Sequence, residues 1–248
     1  MTNVALVTVT HDPEGDHHQL WKKWKSRLEH LYSQMFITVS EETKPAFIED
    51  LKASTFGVKV IPKKGAAHAR REVVRFGLTG ESDLFHYCDL DRLLTWLENH
   101  PDELISLLEG MDEKDYVILG RTERAFETHP EEWKATERIA NKIFSLEIGE
   151  EIDVTAGSCM FSKRSAHYIN EHSRADMTDA EWPMIVHRFA HLPIDHRLVE
   201  GLEYHEDTNG VLGNMTESEK WLSRMRMTLK VSEAAVRTGK EADEIGGG

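Results

Sequence analysis

Two carboxylates stand one residue apart directly after a short apolar run. The run covers residues 84–88, and Asp89 and Asp91 follow it. A divalent cation that bridges phosphates takes one or two carboxylates as ligands, and substrate phosphates and water fill its remaining positions. The pair therefore predicts a site for Mn²⁺ or Mg²⁺ beside a phosphorylated ligand. A helix cap is the alternative that stays open, because acids are common where a helix begins.

A basic segment in an acidic chain is the second candidate. Residues 63–71 carry four lysines and arginines, among them Arg70 and Arg71, around small residues at 65–67. Small residues at the start of a helix let backbone amides approach a phosphate, and arginine adds a forked, permanent charge. This pattern predicts an anion site. A solvated helix face that pairs with neighbouring acids is the open alternative.

Overall composition excludes some classes of protein. The chain has 248 residues, and 30 lysines and arginines stand against 44 aspartates and glutamates, so the formal net charge is −14. Broad binding to a nucleic-acid backbone needs a cationic surface, so a nucleic-acid-coating role is excluded. Hydrophobic residues make up 40% of the chain, which is enough for one large folded core.

Strand and helix patterns alternate along the chain. Strands are predicted at residues 4–10, 36–39, 58–61, 84–88, 116–119 and 154–161, and helices at 17–32, 45–53, 66–78, 93–97, 104–108, 133–146 and 180–189. This alternation predicts an α/β fold with a mostly parallel, twisted sheet flanked by helices. In such sheets ligands bind at the carboxyl ends of the strands, which is where Asp89 and Asp91 stand.

The cysteines and the N-terminus bear on location. Cys88 and Cys159 both lie in apolar runs and form no disulfide framework, which indicates a reducing compartment. The run at residues 4–9 lacks a cationic preamble and a small-residue cleavage site, so it predicts a strand and not a signal peptide. No apolar stretch reaches the length of a membrane span. We therefore expect a cytoplasmic protein.

In chain order, residues 7–11, 65–70, 89–91 and 155–164 resemble motifs of the GT-A glycosyltransferases, especially the bacterial family-2-like members. The resemblance covers about residues 3–165. It departs from the family at Arg71, where Asn is frequent, and it lacks the Gln-x-x-Arg-Trp sequence of processive synthases. It implies a GT-A-like nucleotide-sugar-binding fold and sugar transfer from a nucleoside-diphosphate donor, assisted by Mn²⁺ or Mg²⁺.

The resemblance also implies roles for individual residues. For donor binding these are Thr8, Thr10, Asp12, Arg70, Arg71, Asp89, Gly157 and Ser158, and for the metal they are Asp89, Asp91 and His205. The general base of an inverting transfer would be Asp179 or Glu181. An ordinary helix start is the open alternative for these two acids, and a surface or core role is the alternative for His205.

Domains and partners follow from the same resemblance. It implies one catalytic domain over residues 1–214, with a nucleotide-binding half to about residue 120 and an acceptor half beyond it. A C-terminal helix and a disordered tail take up residues 215–248. The expected partners are a nucleoside-diphosphate sugar and a small-molecule, lipid-linked or glycan acceptor. Assembly into a homo-oligomer stays open.

Two other functions stay open. A sugar-phosphate nucleotidyltransferase shares the sheet, the carboxylates and the basic loop, but residues 10–15 lack the glycine-rich, lysine-containing signature usual in those enzymes. A non-catalytic nucleotide- or sugar-binding module would bind the donor without turnover. Retaining transfer, in which the leaving phosphate serves as base, is the alternative to inversion.

The tryptophans divide into two groups. Five lie in helical stretches and are expected in the core, namely Trp21, Trp24, Trp96, Trp133 and Trp221. Trp182 adjoins the candidate base residues, so it is expected to face an acceptor.

Overall fold

The first strand, β1 (Val4–Thr10), shows how the sheet is built. In this computed structural model, which describes residues 3–110, 114–209 and 215–240, six of its seven residues are buried. Val4 and Leu6 pack on one face of the sheet, and Ala5 and Val7 pack on the other. A strand with apolar side chains on both faces is typical of a parallel sheet that helices cover on both sides.

A seven-stranded sheet surrounds β1 within the described residues. Its other strands are β2 (Gln34–Ser40), β3 (Gly57–Ile61), β4 (Leu84–Tyr87), β5 (Tyr116–Arg121), β6 (Ser158–Ser162) and β7 (Asp195–Val199). The spatial order is β3-β2-β1-β4-β6-β5-β7. Four strand pairs are parallel, and only β6 runs antiparallel to its neighbours. The predicted mostly parallel α/β sheet is confirmed.

Helices cover both faces of the sheet. They are α1 (His18–Leu31), α2 (Pro45–Lys52), α3 (Ala66–Gly77), α4 (Leu90–Asn99), α5 (Pro101–Glu109), α6 (Glu123–Glu127), α7 (Glu131–Ile148), α8 (Lys163–His172), α9 (Thr178–Arg188), α10 (Glu206–Asn209) and α11 (Glu217–Arg237). No helix in the part of the chain that the structure describes is long and apolar enough to cross a membrane.

Each face of the sheet buries its own apolar cluster. On one face, Trp21 of α1 and Leu93 of α4 belong to a cluster that includes Val4 and Leu6 of β1. On the other face, helices α3, α7, α8 and α9 cover the sheet, and α11 packs on α7 and α9 and buries Val231. The C-terminal helix is therefore part of the second core cluster. The predicted disordered tail at residues 241–248 lies outside the described residues.

The chain changes direction across the sheet between β1 and β4. It runs outward from β1 through β2 to β3, and then returns to place β4 on the other side of β1. A crevice opens outside the carboxyl ends of the strands at such a switch point, and α/β sheets bind ligands there. Thr10 ends β1 and Asp89 follows β4, so both residues lie at this crevice.

The prediction of a strand at residues 154–161 is correct only in its second part. Val154–Ala156 forms a 3₁₀ turn, and Gly157 has a φ of 77° before β6 begins at Ser158. A left-handed backbone conformation favours glycine, which explains why the chain can turn at Gly157 without strain. The sequence analysis did not predict β7, because its middle residues, 196–198, are exposed and form no apolar run.

His86 of β4 is fully buried within the sheet. A hydrogen bond of 2.7 Å joins its Nδ1 to the Tyr32 hydroxyl, and its ring meets the Trp96 ring edge-on. Burial lowers the pKa of His86 to about 3, so the imidazole is neutral in the folded protein above that pH.

This buried imidazole predicts a loss of stability in mild acid. The unfolded chain takes up a proton on His86 below about pH 6.5, whereas the folded chain does not do so until about pH 3. Between these values the free energy of unfolding should fall by about 1.4 kcal/mol per pH unit for this residue. Urea denaturation at several pH values measures the slope.

The matched variants for this test are His86→Asn and His30→Asn. His30 is exposed, so its replacement should leave the slope unchanged. His86→Asn should reduce the slope, and an unreduced slope in that variant would show that His86 does not carry the effect.

Candidate active site

Asp89 lies where two cavities meet. The β1 cavity has a volume of about 380 Å³ and lies at the carboxyl end of β1, where Thr10 and Asp91 line it. The α11 cavity has a volume of about 250 Å³, and Asp179 and Arg224 are among its lining residues. Asp89 lines both cavities, so a ligand in one would lie next to a ligand in the other.

The β1 cavity combines apolar walls with a positive rim. Val9 and Ile61 contribute apolar surface, and Lys63 and Lys64 stand just before α3. Gly65 caps α3 with a φ of 90°, and nothing lies within 4 Å of the position that a Cβ would take. Gly65 and Ala66 line the cavity at the start of α3, and the N-terminal end of a helix favours a negatively charged ligand. Lys64 adds positive charge there, whereas Lys63 pairs with Glu42 at 2.8 Å.

Two of the residues predicted to border the nucleoside do not line the β1 cavity. The Thr8 hydroxyl is fully buried and donates to the Cys88 carbonyl at 2.7 Å, which ties β1 to the end of β4. The Asp12 carboxylate accepts hydrogen bonds from the backbone amides of residues 15–17, so it holds the turn before α1. Thr10 does line the cavity. The predicted ligand contacts of Thr8 and Asp12 are therefore corrected to structural roles.

Arg70 of α3 joins the two predicted acidic segments. Its guanidinium donates to Asp89 at 2.8 Å and to both oxygens of Asp179 at 3.1 and 3.0 Å, and it also reaches the Thr178 hydroxyl at 3.1 Å. Burial alone would lower the pKa of Arg70, but Asp179 and Asp89 raise it well above its usual value. Arg70 therefore stays charged and fixes both carboxylates at the boundary of the two cavities.

Arg71 does not reach either cavity. Its guanidinium donates to the backbone carbonyl of Ala175 at 2.7 Å, and Arg71 lines neither the β1 cavity nor the α11 cavity. Adjacent residues on a helix point about 100° apart, so only one of the two arginines can face the crevice. The expectation that Arg71 contacts the donor is corrected, and Arg70 is the arginine at the site.

The two candidate bases lie in different environments. The Asp179 side chain is 8% exposed and lines the α11 cavity beside Asp89. The Glu181 carboxylate is buried and accepts from the Ser173 hydroxyl and from the backbone amides of Arg174 and Ala175. These bonds fix the loop before α9, so Glu181 is corrected to a structural residue. Asp179 remains as the candidate base.

Gly157 and Ser158 lie next to each other but point to different places. Gly157 lines the α11 cavity, and a Cβ there would lie 3.3 Å from the Asp179 carboxylate. The Ser158 hydroxyl donates to the Tyr87 carbonyl at 2.7 Å and thereby joins β6 to β4. Gly157 therefore lines the α11 cavity and not the β1 cavity, and its role in donor binding stays a prediction, whereas the Ser158 hydroxyl is engaged within the sheet and does not support the predicted donor contact.

The predicted metal ligands come together only in part. Asp91 lines the β1 cavity and accepts from the Asn209 side chain at 2.9 Å. His205 lies 3.2 Å from both Asn99 and Glu203 instead. Across the described ranges no group of three or more His, Cys, Asp and Glu residues could hold a metal ion. The ring contacts of His205 are with Asn99 and Glu203 and not with Asp89 or Asp91, so the structure gives its metal role no support.

The remaining carboxylates still fit a divalent cation of one kind. Asp89 and Asp91 offer hard oxygen ligands at a cavity whose positive rim suits phosphate. A cation held by one or two carboxylates and by substrate phosphates needs no all-protein cage. The donor set therefore suits Mg²⁺ or Mn²⁺ bound together with a diphosphate.

Sequence reasoning missed most of the α11 cavity. Arg121 is the last residue of β5, and its buried guanidinium forms ion pairs with Asp153 at 2.8 Å and with Glu137 at 2.9 Å. A charged residue at the end of an otherwise apolar strand was the available signal for Arg121. Arg92 and Arg224 also line this cavity, and nothing in their local sequence distinguished them from surface arginines.

The tryptophan predictions were partly wrong. Trp182 is buried, packs edge-on against Tyr87 and donates to the Ser173 hydroxyl, so it faces the core and not an acceptor. Trp133 lines the α11 cavity, and Trp221 is 39% exposed. Helical periodicity alone did not separate these environments.

The strand order and the crevice at β1 and β4 define a GT-A-type α/β fold, and solved structures agree. No protein-family model matches the chain, and no curated protein does. The chain is similar to glucosyl-3-phosphoglycerate synthase from Mycobacterium tuberculosis in complex with Mn²⁺, uridine diphosphate and phosphoglyceric acid. The TM-score is 0.59 at 12% sequence identity, over 97% of this chain and 80% of that chain.

Further structures give the same result. That synthase in complex with uridine diphosphate has a TM-score of 0.57 at 14% identity, over 94% of this chain and 80% of that chain. A mycobacterial protein has a TM-score of 0.57 at 14% identity, over 98% and 76%. The resemblance to the GT-A fold is therefore confirmed.

The placement of Arg70 and Arg71 predicts unequal losses of stability. Arg70→Gln should lower the free energy of unfolding by about 3 kcal/mol, because it leaves the nearly buried Asp179 without its charge partner. Arg71→Gln removes one hydrogen bond to a backbone carbonyl and should cost about 1 kcal/mol. Urea denaturation at neutral pH measures both values, and equal losses would contradict the central position of Arg70.

Proposed function

We propose that this protein is a glycosyltransferase that moves a sugar from a nucleoside diphosphate to a small-molecule acceptor, with Mn²⁺ or Mg²⁺ bound beside Asp89 and Asp91. One observation carries the proposal. Two cavities share Asp89 at the carboxyl end of β4, so a donor in one cavity and an acceptor in the other would have their reacting groups side by side. Two substrates held next to each other react as in a unimolecular step.

The β1 cavity suits the donor. Its apolar walls and Thr10 can border a nucleoside, and the start of α3 with Lys63 and Lys64 can receive the diphosphate. The similar synthase structures contain uridine diphosphate together with Mn²⁺ or Mg²⁺. We assign the same class of donor and cation to this chain.

Asp89 and Asp91 would hold the cation. When bound, it supplies positive charge that neutralises the departing diphosphate. Lys63 and Lys64 line the same cavity and would add positive charge near the diphosphate.

Asp179 is the residue that we assign to the proton of the acceptor hydroxyl. Its carboxylate lines the α11 cavity, and the paired guanidinium of Arg70 fixes its direction. An ionised carboxylate at that wall can accept the proton while the hydroxyl attacks the sugar from the acceptor side. Attack from the side opposite the leaving diphosphate inverts the anomeric centre, so we propose inverting transfer.

A cytoplasmic location agrees with the cysteines. Cys88 and Cys159 are free and buried, and burial raises the pKa of the Cys159 thiol to about 12. Such thiols are small apolar core residues and not nucleophiles.

Asp91 provides the cleaner test of the cation site, because Asp89 also holds Arg70. Asp91→Asn should weaken the Mn²⁺-dependent part of uridine diphosphate binding at least about tenfold, since an amide is a poorer ligand than a carboxylate. Titration calorimetry with and without Mn²⁺ measures this part. Asp102→Asn, at an exposed acid of α5, is the control and should bind as the unmodified chain does.

Undiminished Mn²⁺ dependence in Asp91→Asn would remove Asp91 from the cation site. Absence of any nucleoside diphosphate binding in the unmodified chain would contradict the proposed donor.

Asp179→Asn should reduce sugar transfer by about 10²–10⁴-fold, which is the usual effect of losing a positioned base. The affinity for uridine diphosphate should stay the same, because Asp179 lines only the acceptor side. Single-turnover assays with a UDP-sugar measure transfer, and NMR of the product gives its anomeric configuration. Asp176→Asn is the control, since this exposed acid stands just before α9 and pairs with Lys230.

Full transfer in Asp179→Asn, or a product that keeps the configuration of the donor, would overturn the inverting assignment. Donor binding without transfer to any acceptor tried would favour a non-catalytic binding module.

A further inference from the structure

The α11 cavity contains more positive than negative charge, although the chain as a whole is acidic. Four arginines line it, Arg70, Arg92, Arg121 and Arg224, together with three acids, Asp89, Glu137 and Asp179. The chain as a whole carries a formal charge of −14. The excess of arginine at this cavity therefore does not follow from the overall composition of the chain, which is acidic.

Ion pairing accounts for only two of these arginines. Arg70 pairs with Asp89 and Asp179, and Arg121 pairs with Glu137 and with Asp153 beside the cavity. Arg92 and Arg224 have no ion-pair partner among residues 3–110, 114–209 and 215–240. These two guanidinium groups are therefore the arginines of the cavity that have no carboxylate within ion-pair distance among the described residues.

Arg224 is held in place without a carboxylate. Its guanidinium carbon lies 3.1 Å from the centre of the Trp133 ring, and Nη1 lies 3.7 Å from the Met227 sulfur. Burial lowers the pKa of Arg224 to about 10, and the neighbouring Arg92 contributes to the lowering, whereas Glu137 and Glu132 oppose it. The planar donor edge of the stacked guanidinium forms no ion pair with an acid among the described residues. A bound anion at this edge would therefore stabilise the charged guanidinium.

Arg92 lines the same cavity from a different helix, α4. It stands in the first turn of α4, donates to the Glu203 backbone carbonyl at 3.3 Å and lies 5.8 Å from the Tyr204 ring centre. Arg92 contributes to the lowered pKa values of both His129 and Arg224, so its charge is felt across the cavity. Two arginines from different elements thus surround one space, and a small oxyanion bound between them would offset their repulsion.

We propose that the α11 cavity binds an acceptor that carries a phosphate or carboxylate group, with Arg92 and Arg224 as the residues that hold this anion. The inference rests on the proposed function, because it assigns the α11 cavity to the acceptor. Arginine matches the planar oxygens of both anions with paired hydrogen bonds. The acceptor hydroxyl then lies toward Asp179 and Asp89, on the wall that the two cavities share.

Glycerol 3-phosphate, glycerate and glycerol form a matched set of probes for this site, with a phosphate, a carboxylate or no anion. Titration calorimetry with the full chain, in the presence of uridine diphosphate and Mn²⁺, keeps the diphosphate site filled. At least one anionic probe should bind about tenfold or more tightly than glycerol. Arg92→Gln and Arg224→Gln should each weaken that binding by about tenfold to hundredfold.

Arg226→Gln is the matched control. Arg226 is exposed on α11 two residues beyond Arg224, so it points about 200° away from it and should have no effect. Arg224→Lys keeps the charge but loses the paired geometry, and it should bind with intermediate affinity. Circular dichroism melting of each variant confirms that it is folded.

The outcomes separate this inference from the proposed function. If uridine diphosphate binds but the anionic probes bind no better than glycerol, or if neither arginine variant weakens them, only the anion site is wrong. If uridine diphosphate fails to bind while the arginine variants still weaken an anionic probe, the anion site stands and the proposed donor is wrong. Glycerol 3-phosphate against glycerate decides between a phosphate and a carboxylate.

Discussion

The ion pairs of Arg70 are the interaction on which the site depends. One guanidinium links α3, the end of β4 and the start of α9, and each of these elements covers a different part of the crevice. Without this charge, Asp89 and Asp179 would face each other as two acids at a poorly solvated boundary. The arginine thus holds both carboxylates together within one small region.

The sheet places this ion-pair group where ligands can reach it. β1 and β4 are parallel neighbours at the point where the chain turns back, so their carboxyl ends open onto a crevice. The antiparallel strand β6 lies on the other side of β4, and the turn at Gly157 before it approaches Asp179 closely. One antiparallel strand in a parallel sheet therefore brings the second cavity to the same edge as the first.

The local sequence predicts some parts of this arrangement but not the ion-pair partners of Arg70. The β-branched run of β1 and the acids after β4 could be identified from the sequence. Neighbouring residues along the chain are enough to indicate a buried strand and the position where it ends. The partner of Arg70 could not be found in this way, since Asp179 is 109 residues distant. Glu181 has the same residue type and lies two positions from Asp179, yet it faces backbone amides. The direction of a side chain on α9 depends on tertiary packing, which a short sequence motif does not predict.

The position of α11 after all seven described strands in chain order has a consequence for the order of synthesis. The ribosome makes the strands and most of the lining of both cavities before it reaches Arg224, so α11 can pack on α7 only after those parts of the chain have emerged. Domains begin to fold during synthesis from the N-terminal side. A nascent chain would thus hold Asp89 and Asp91 at the sheet edge while the wall with Arg224 is still missing, so the α11 cavity is completed after the sheet edge.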